Sequence, residues 1–303
     1  MSVTGSRPLV SLLLPTRGRR AWVERFLNSV ARETAYLETV EIVICVDEDD
    51  LDSHGIDHPK LHIVELIGPK RSMGAYNSDA LHASRGEIVV LANDDMVIRT
   101  PGWDERLRAV HAEYPDGIYL AYCNDLFKRN KICTFPVLSR HCCKLLVEPY
   151  PHIYQGAFID HHLLDVFKRL EKAGHGRIRY LDDVIFEHLH FRAGKAPMDA
   201  TYAARSRFGD DSVFLALSTV RQKQTDWLVA AIRGVTKERH ALPKISPIPI
   251  HGIFDAFVCY TRWIILDQGL PLWWRCKLWI WFLARYIVSG VWKGDIIPLN
   301  EKG

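Results

Sequence analysis

Residues 86–96 read GEIVVLANDDM, a compact apolar run that goes straight into two adjacent acids, Asp94 and Asp95. Apolar side chains on successive rather than alternate positions predict a strand buried on both faces. The same pattern occurs upstream. Residues 8–16, PLVSLLLPT, run into Thr16 and Arg17, and VEIVICVDEDD, residues 40–50, runs into Asp47 to Asp50. LHIVELI, residues 61–67, reads as a further strand. Between the strands, Trp22, Phe26, Leu27 and Val30 recur at helical spacing within residues 21–33, and residues 73–84 also read as a helix. Strands alternating with helices predict an α/β sheet with right-handed crossovers. Ligands of such sheets bind beyond the carboxyl ends of the strands, so the three polar strand ends are expected to converge on one crevice.

Composition narrows the class. The chain has 303 residues, 48% hydrophobic and 25% charged, which fits one large or two modest globular domains and excludes a disordered chain, a collagen-like repeat or a coiled coil. A formal net charge of +3 points to no nucleic-acid partner. The seven cysteines have no CxxC spacing and read as reduced thiols. Three arginines and no small-residue cleavage site follow the first apolar run, so no secretory signal is expected and the expected location is cytoplasmic.

Downstream, Leu163, Leu164, Phe167 and Leu170 predict a helix over His161–Ala173, and RIRYLDDVIFEHLHF predicts a strand with His188 and His190 on one side. Gly209–Arg233 is expected to be helical. Leu242–Gly252 carries three prolines and reads as a linker. The 41 residues from Gly252 to Trp292 then hold six of the nine tryptophans. Arg275, Lys277 and Arg285 lie among Trp273, Trp274, Trp279, Trp281 and Phe282, and no uncharged run is long enough to cross a membrane. Two readings stand: a helix lying in a membrane surface, or an ordinary core or dimer helix. The expected divisions are residues 1–200 (halves at about 1–100 and 101–200), a helical extension 201–242, and 243–303.

No phosphate-binding glycine motif is present, so Mn²⁺ or Mg²⁺ held by the strand-end carboxylates would have to neutralise a diphosphate, with Lys70, Arg71 or backbone amides assisting. The ordered set LLLPTRGR, VICVDEDD, KRSMGAYN and GEIVVLANDDM resembles the family 2 glycosyltransferases of GT-A fold over roughly residues 8–195. The resemblance implies a Rossmann-like mixed sheet flanked by helices, followed here by the aromatic-rich helical extension. It places Pro15, Thr16, Arg17 and Arg19 around the base of a sugar nucleotide, and Asp47 on the base or ribose. It makes Asn77 the residue that opens the helix before the metal motif.

By the same resemblance Asp95 is the preferred metal ligand, with Asp94 on the ribose or the metal and His188 completing the shell. Asp160 falls on the catalytic base, with Ile159 where glutamate commonly stands. Asp160 also reads simply as a helix cap, and Asp165 is the fallback base. The implied activity is inverting, metal-dependent transfer from a nucleotide-diphosphate sugar to a glycan or lipid-linked acceptor in polysaccharide assembly. A membrane surface and a second copy of the chain are the other expected partners. The rival reading is a non-catalytic sugar-nucleotide or glycan-binding protein, kept open by Ile159 and by the missing first acid of a D-x-D.

Overall fold

In the computed structural model the described residues are 9–197, 208–243 and 245–294, with side chains described to residue 289. Pro8, the division at residue 200, residues 201–207, the ring of Trp292 and residues 295–303 lie outside them.

Each apolar run is a strand. β1 (Val10–Thr16), β2 (Val40–Asp47), β3 (His62–Gly68) and β4 (Ile88–Leu91) pair in parallel, in the order β3-β2-β1-β4. The sheet continues through four strands that mix directions: β5 (Met96–Ile98), β6 (Leu120–Asn124), β7 (Val137–Ser139) and β8 (Ile178–His188), giving eight strands ordered β3-β2-β1-β4-β7-β6-β8-β5. β7 is antiparallel to β4 and β6, β8 is parallel to β6, and the short β5 folds back antiparallel to β8.

Both faces of the central strands are covered, which is why their runs are continuously apolar. Leu12, Leu14, Ile42 and Ile44 point into one core with Phe26, Leu27 and Val30 of α1 (Arg20–Glu33) and Trp103 and Leu107 of α3 (Trp103–Glu113). Leu13, Val43 and Val89 point into the other, against α2 (Met73–Ala83), α4 (Arg140–Leu146) and α5 (Ile159–Lys172). Residues 209–233 form two helices, α6 (Asp211–Ala216) and α7 (Ser218–Ile232), joined at Leu217, whose ψ of 5° breaks the helical path. The proline-rich stretch has no regular structure where described.

The aromatic segment folds as α8 (Ile253–Tyr260), a π-helical turn over Thr261–Ile265, and α9 (Leu272–Gly294). Trp274, Leu278 and Phe282, four residues apart, are buried in the second core. Two of the three basic side chains expected to reach a lipid surface are spent internally: Arg275 Nη1 donates to Ile265 O (2.8 Å), and Arg285 makes two bonds to Asp211 (2.8 and 2.5 Å). The outward side keeps Leu272, Trp273, Ile280 and Ile287 exposed, beside Phe254, Phe257 and Val258 of α8. The inner stripe of α9 is therefore core, and the membrane reading applies only to the outer one. No helix among the described residues is long and apolar enough to cross a membrane.

Candidate functional site

The carboxyl ends of β1 and β2 are tied together by charge. Arg17, in the loop after β1, donates through Nη1 to Asp47 and Asp49 and through Nη2 to Asp49 (2.8 Å). Those bonds, first to Asp49 and then to Asp47, push the guanidinium pKa up. Gly18 N–H donates to Asp50 Oδ2 at 2.6 Å. The other Asp47 oxygen accepts from the Tyr76 hydroxyl of α2, whose pKa is raised by burial and then by this carboxylate. Asp47 is thus braced from two elements. Sequence reading missed Tyr76, although it stands beside Asn77 in the quoted motif.

Lys70 and Arg71 are exposed between β3 and α2, with Arg71 paired to Asp79 at 2.6 Å. Asn77 does not open α2. Ser72 caps it, accepting from Ala75 N–H at 3.2 Å, so Asn77 lies buried a turn further in. Pro15 is buried within β1.

The two acids of the decisive stretch have different environments. Asp94 Oδ1 accepts from Arg19 Nη1 (2.9 Å) and Oδ2 from Thr16 Oγ1 (3.0 Å), all three residues being buried. Burial raises the Asp94 carboxyl pKa more than Arg19 lowers it, and Asp95 adds to the rise. Asp95 instead faces β8. The β5–β8 ladder pairs Met96 with His188, Leu189 N–H donates to Asp95 O (2.8 Å), and His188 Nε2 lies 3.1 Å from Asp95 Oδ2. His190 is past the strand, capping a single 3₁₀ turn, so the two histidines do not share a strand face.

Asp125 was not picked out from sequence. Its buried carboxylate collects the N–H groups of Phe127, Lys128 and Arg129 and the Thr134 hydroxyl, and its carbonyl accepts from His188 N–H (3.0 Å). This fixes the loop beside His188, an Asx-type role that no spacing announces.

No group of three or more His, Cys, Asp or Glu side chains that could hold a metal ion occurs among the described residues. The Asp95–His188 pair still fits Mn²⁺ or Mg²⁺ that takes its remaining oxygens from phosphates and water. His188 presents Nε2 to Asp95, and its other ring nitrogen, Nδ1, is buried with no hydrogen-bond partner among the described residues.

Asp160 lies in the first turn of α5, where the helix dipole favours a carboxylate. The cap is Phe158, not Asp160. Phe158 has φ 70°, a conformation costing a bulky residue about 1–3 kcal/mol. Asp160 Oδ1 accepts from His161 N–H (2.7 Å) and lies 2.8 Å from His161 Nδ1. Burial pushes its pKa up, but His161, its two bonds and the charge of His188 outweigh that and hold it below the ordinary value. Asp165 cannot act as a base, because it is fully buried between Arg169 Nε (3.0 Å), Arg221 Nε (2.6 Å) and Trp274 Nε1 (3.2 Å). Asp183 is an exposed acid paired with Arg106.

The fold is that of the GT-A-like glycosyltransferases. S. aureus TarS matches with TM-score 0.50 at 15% identity, covering 74% of this chain and 43% of that one. A structure of S. aureus TarS in complex with UDP-GlcNAc matches with TM-score 0.52 at 15% identity, covering 74% and 71%. In sequence, the uncharacterized protein y4gI of Sinorhizobium fredii is 30% identical over 126 residues, a match spanning 36% of this chain and 14% of that protein. The chain therefore spans a small part of that relative's length. No protein-family model matches.

Proposed function

We propose that the chain is an inverting, metal-dependent glycosyltransferase that moves a sugar from a nucleotide-diphosphate donor to a glycan or lipid-linked acceptor in surface polysaccharide assembly. The observation that carries this reading is the Asp95–His188 pair standing at the carboxyl end of the sheet, where Asp47 and Arg17 tie together the ends of β1 and β2. A neighbour of the same fold was solved with UDP-GlcNAc, a donor of this chemical class.

In this reading Asp47 and Arg17 seat the nucleoside, Lys70 and Arg71 line the approach, Pro15 and Asn77 support the site from within β1 and α2, and Thr16 and Arg19 act through Asp94. Asp95 and His188 would hold Mn²⁺ or Mg²⁺, which supplies charge neutralisation for the departing diphosphate. Asp160 takes the proton of the acceptor hydroxyl as that oxygen attacks the anomeric carbon. Residues 1–200 would be the catalytic unit, 201–242 a helical extension, and 243–303 the linker and aromatic helices. The outer stripe of α8 and α9, with the exposed Lys277 alongside, would rest on the cytoplasmic face of a membrane and meet a lipid-linked acceptor there.

Incubation with a panel of nucleotide-diphosphate sugars and Mn²⁺ tests the core of this. Release of nucleoside diphosphate from one donor is expected, falling at least about 100-fold in Asp160→Asn when acceptor is present. Well-folded protein that binds a donor and never turns it over would favour the non-catalytic binding reading. Flotation with anionic vesicles tests the surface: partition is expected, and a dimer remaining in the aqueous fraction would assign the stripe to a second copy instead.

A further inference from the structure

The turn that presents Asp160 is built around a ring cluster. The Phe158 ring lies 5.1 Å from Phe214, 5.5 Å from Trp281 and 5.6 Å from Phe282. Two of those rings belong to α9, more than a hundred residues further along the chain. The His161 ring lies flat on Trp281, with centroids 4.8 Å apart and planes 5° apart. The cluster is held in place by charge. Arg285 sits over Trp281 and grips Asp211, while the Asp210 carboxylate collects the N–H groups of Gln155, Gly156 and Ala157 (3.0, 3.0 and 2.8 Å) just before Phe158.

We propose that His161 is a positioning residue for Asp160 and that Trp281 holds it in that role, so that α9 completes the acceptor side of the site. This rests on the reading of Asp160 as the base. Both bonds from His161, one from the backbone and one from the ring, fall on Oδ1. Oδ2 is then the oxygen turned to the acceptor. As the acceptor oxygen bonds to the anomeric carbon, its proton passes to Oδ2, and the bond to the diphosphate oxygen breaks with its electron pair leaving on the diphosphate. The stack on Trp281 keeps the imidazole parallel to one ring plate and stops it from swinging off the carboxylate.

Asp160 is faced by His188 and Cys133, and Cys133 Sγ donates to Asp160 O at 3.1 Å. His161 is faced by Asp211 of α6, itself paired with Arg285 of α9. A donor on the carboxylate favours its charged form, so removing the ring donor should move its titration upward.

The test is the titration of the Asp160 carboxyl by ¹³C NMR, assigned with Asp160→Asn, together with the pH profile of kcat/KM. His161→Phe keeps a ring on Trp281 and loses the donor. His161→Asn keeps a donor. Trp281→Leu removes the plate, and Trp281→Phe restores one if the leucine variant does not fold. In His161→Phe and Trp281→Leu the carboxyl titration and the acid limb should both rise by about one pH unit, with kcat down about tenfold and donor KM unchanged. Trp281→Phe should stay near wild type, and His161→Asn, which keeps a donor but loses the stack, should fall between wild type and His161→Phe. An Asp160 carboxyl that titrates identically in wild type and His161→Phe overturns the proposal. A wild type with no turnover overturns the transferase reading alone, because the NMR titration still decides whether His161 governs Asp160.

Discussion

Asp95 Oδ2 and His188 Nε2 stand 3.1 Å apart although 93 residues separate them in sequence. The cause is a three-residue strand: β5 starts immediately after Asp95 and pairs Met96 with His188. Neither side chain needs a long loop to find the other, since the ladder sets their register.

From this pairing comes the first prediction. Asp95→Ala and His188→Ala should each weaken Mn²⁺-dependent nucleoside diphosphate binding by at least about tenfold, as losses at metal sites commonly do. Binding by calorimetry, with the free-ion Mn²⁺ signal followed by electron paramagnetic resonance, would measure it. Asp94→Asn should act differently. It weakens the partners of buried Arg19 and Thr16 and so lowers the melting temperature. Metal binding that survives both alanine variants would remove the pair from the metal site.

The second prediction concerns Asp165. Its carboxylate is buried between two guanidinium groups and the Trp274 indole, so it joins α5, α7 and α9. Arg169 extends the network to Asp267, ahead of α9 (3.0 Å). Asp165→Ala would leave two buried arginines undercompensated and cost about 3–5 kcal/mol. The readout is a lower urea midpoint with an unchanged m-value. If the variant were fully stable and dead in turnover, Asp165 would be the base after all.

How far the sequence revealed this follows from which signals are local. The parallel strands β1, β2 and β4 are legible because burial on both faces makes each an unbroken apolar run, and their polar ends mark the crevice. β5 and β7, of three residues each, are too short to show a period, so the register that joins Asp95 to His188 was hidden. Composition flagged α9 as aromatic and basic, yet could not say that Arg275 and Arg285 would be spent on Ile265 and Asp211. That depends on tertiary partners. Asp165 looked like Asp160 in sequence, and only the arginines arriving from α7 and from the next turn of α5 separate their roles.

A third prediction turns on His162, adjacent to the His161 pair but facing the core. Gln224 donates through Nε2 to Leu146 O (3.2 Å) and Glu148 O (3.0 Å), so its Oε1 faces His162 Nε2 at 2.8 Å. The imidazole must therefore donate from Nε2, and Nδ1 accepts from the Tyr154 hydroxyl at 3.1 Å. Burial, with Arg221 adding to it, pushes the ring pKa down from 6.5 to about 3. Above pH 6.5 both folded and unfolded states carry a neutral ring, and its contribution is fully present. As the pH falls below that, the unfolded chain gains a proton that the folded one refuses, and stability declines until about pH 3. At pH 5 the loss is about 2 kcal/mol. Urea unfolding between about pH 7 and 5, above most of the carboxylate range, should show this slope in wild type. It should be shallower in His162→Gln by about 0.7 proton on average over that range, approaching one at pH 5, and an equal slope in both would mean that the acid sensitivity arises elsewhere.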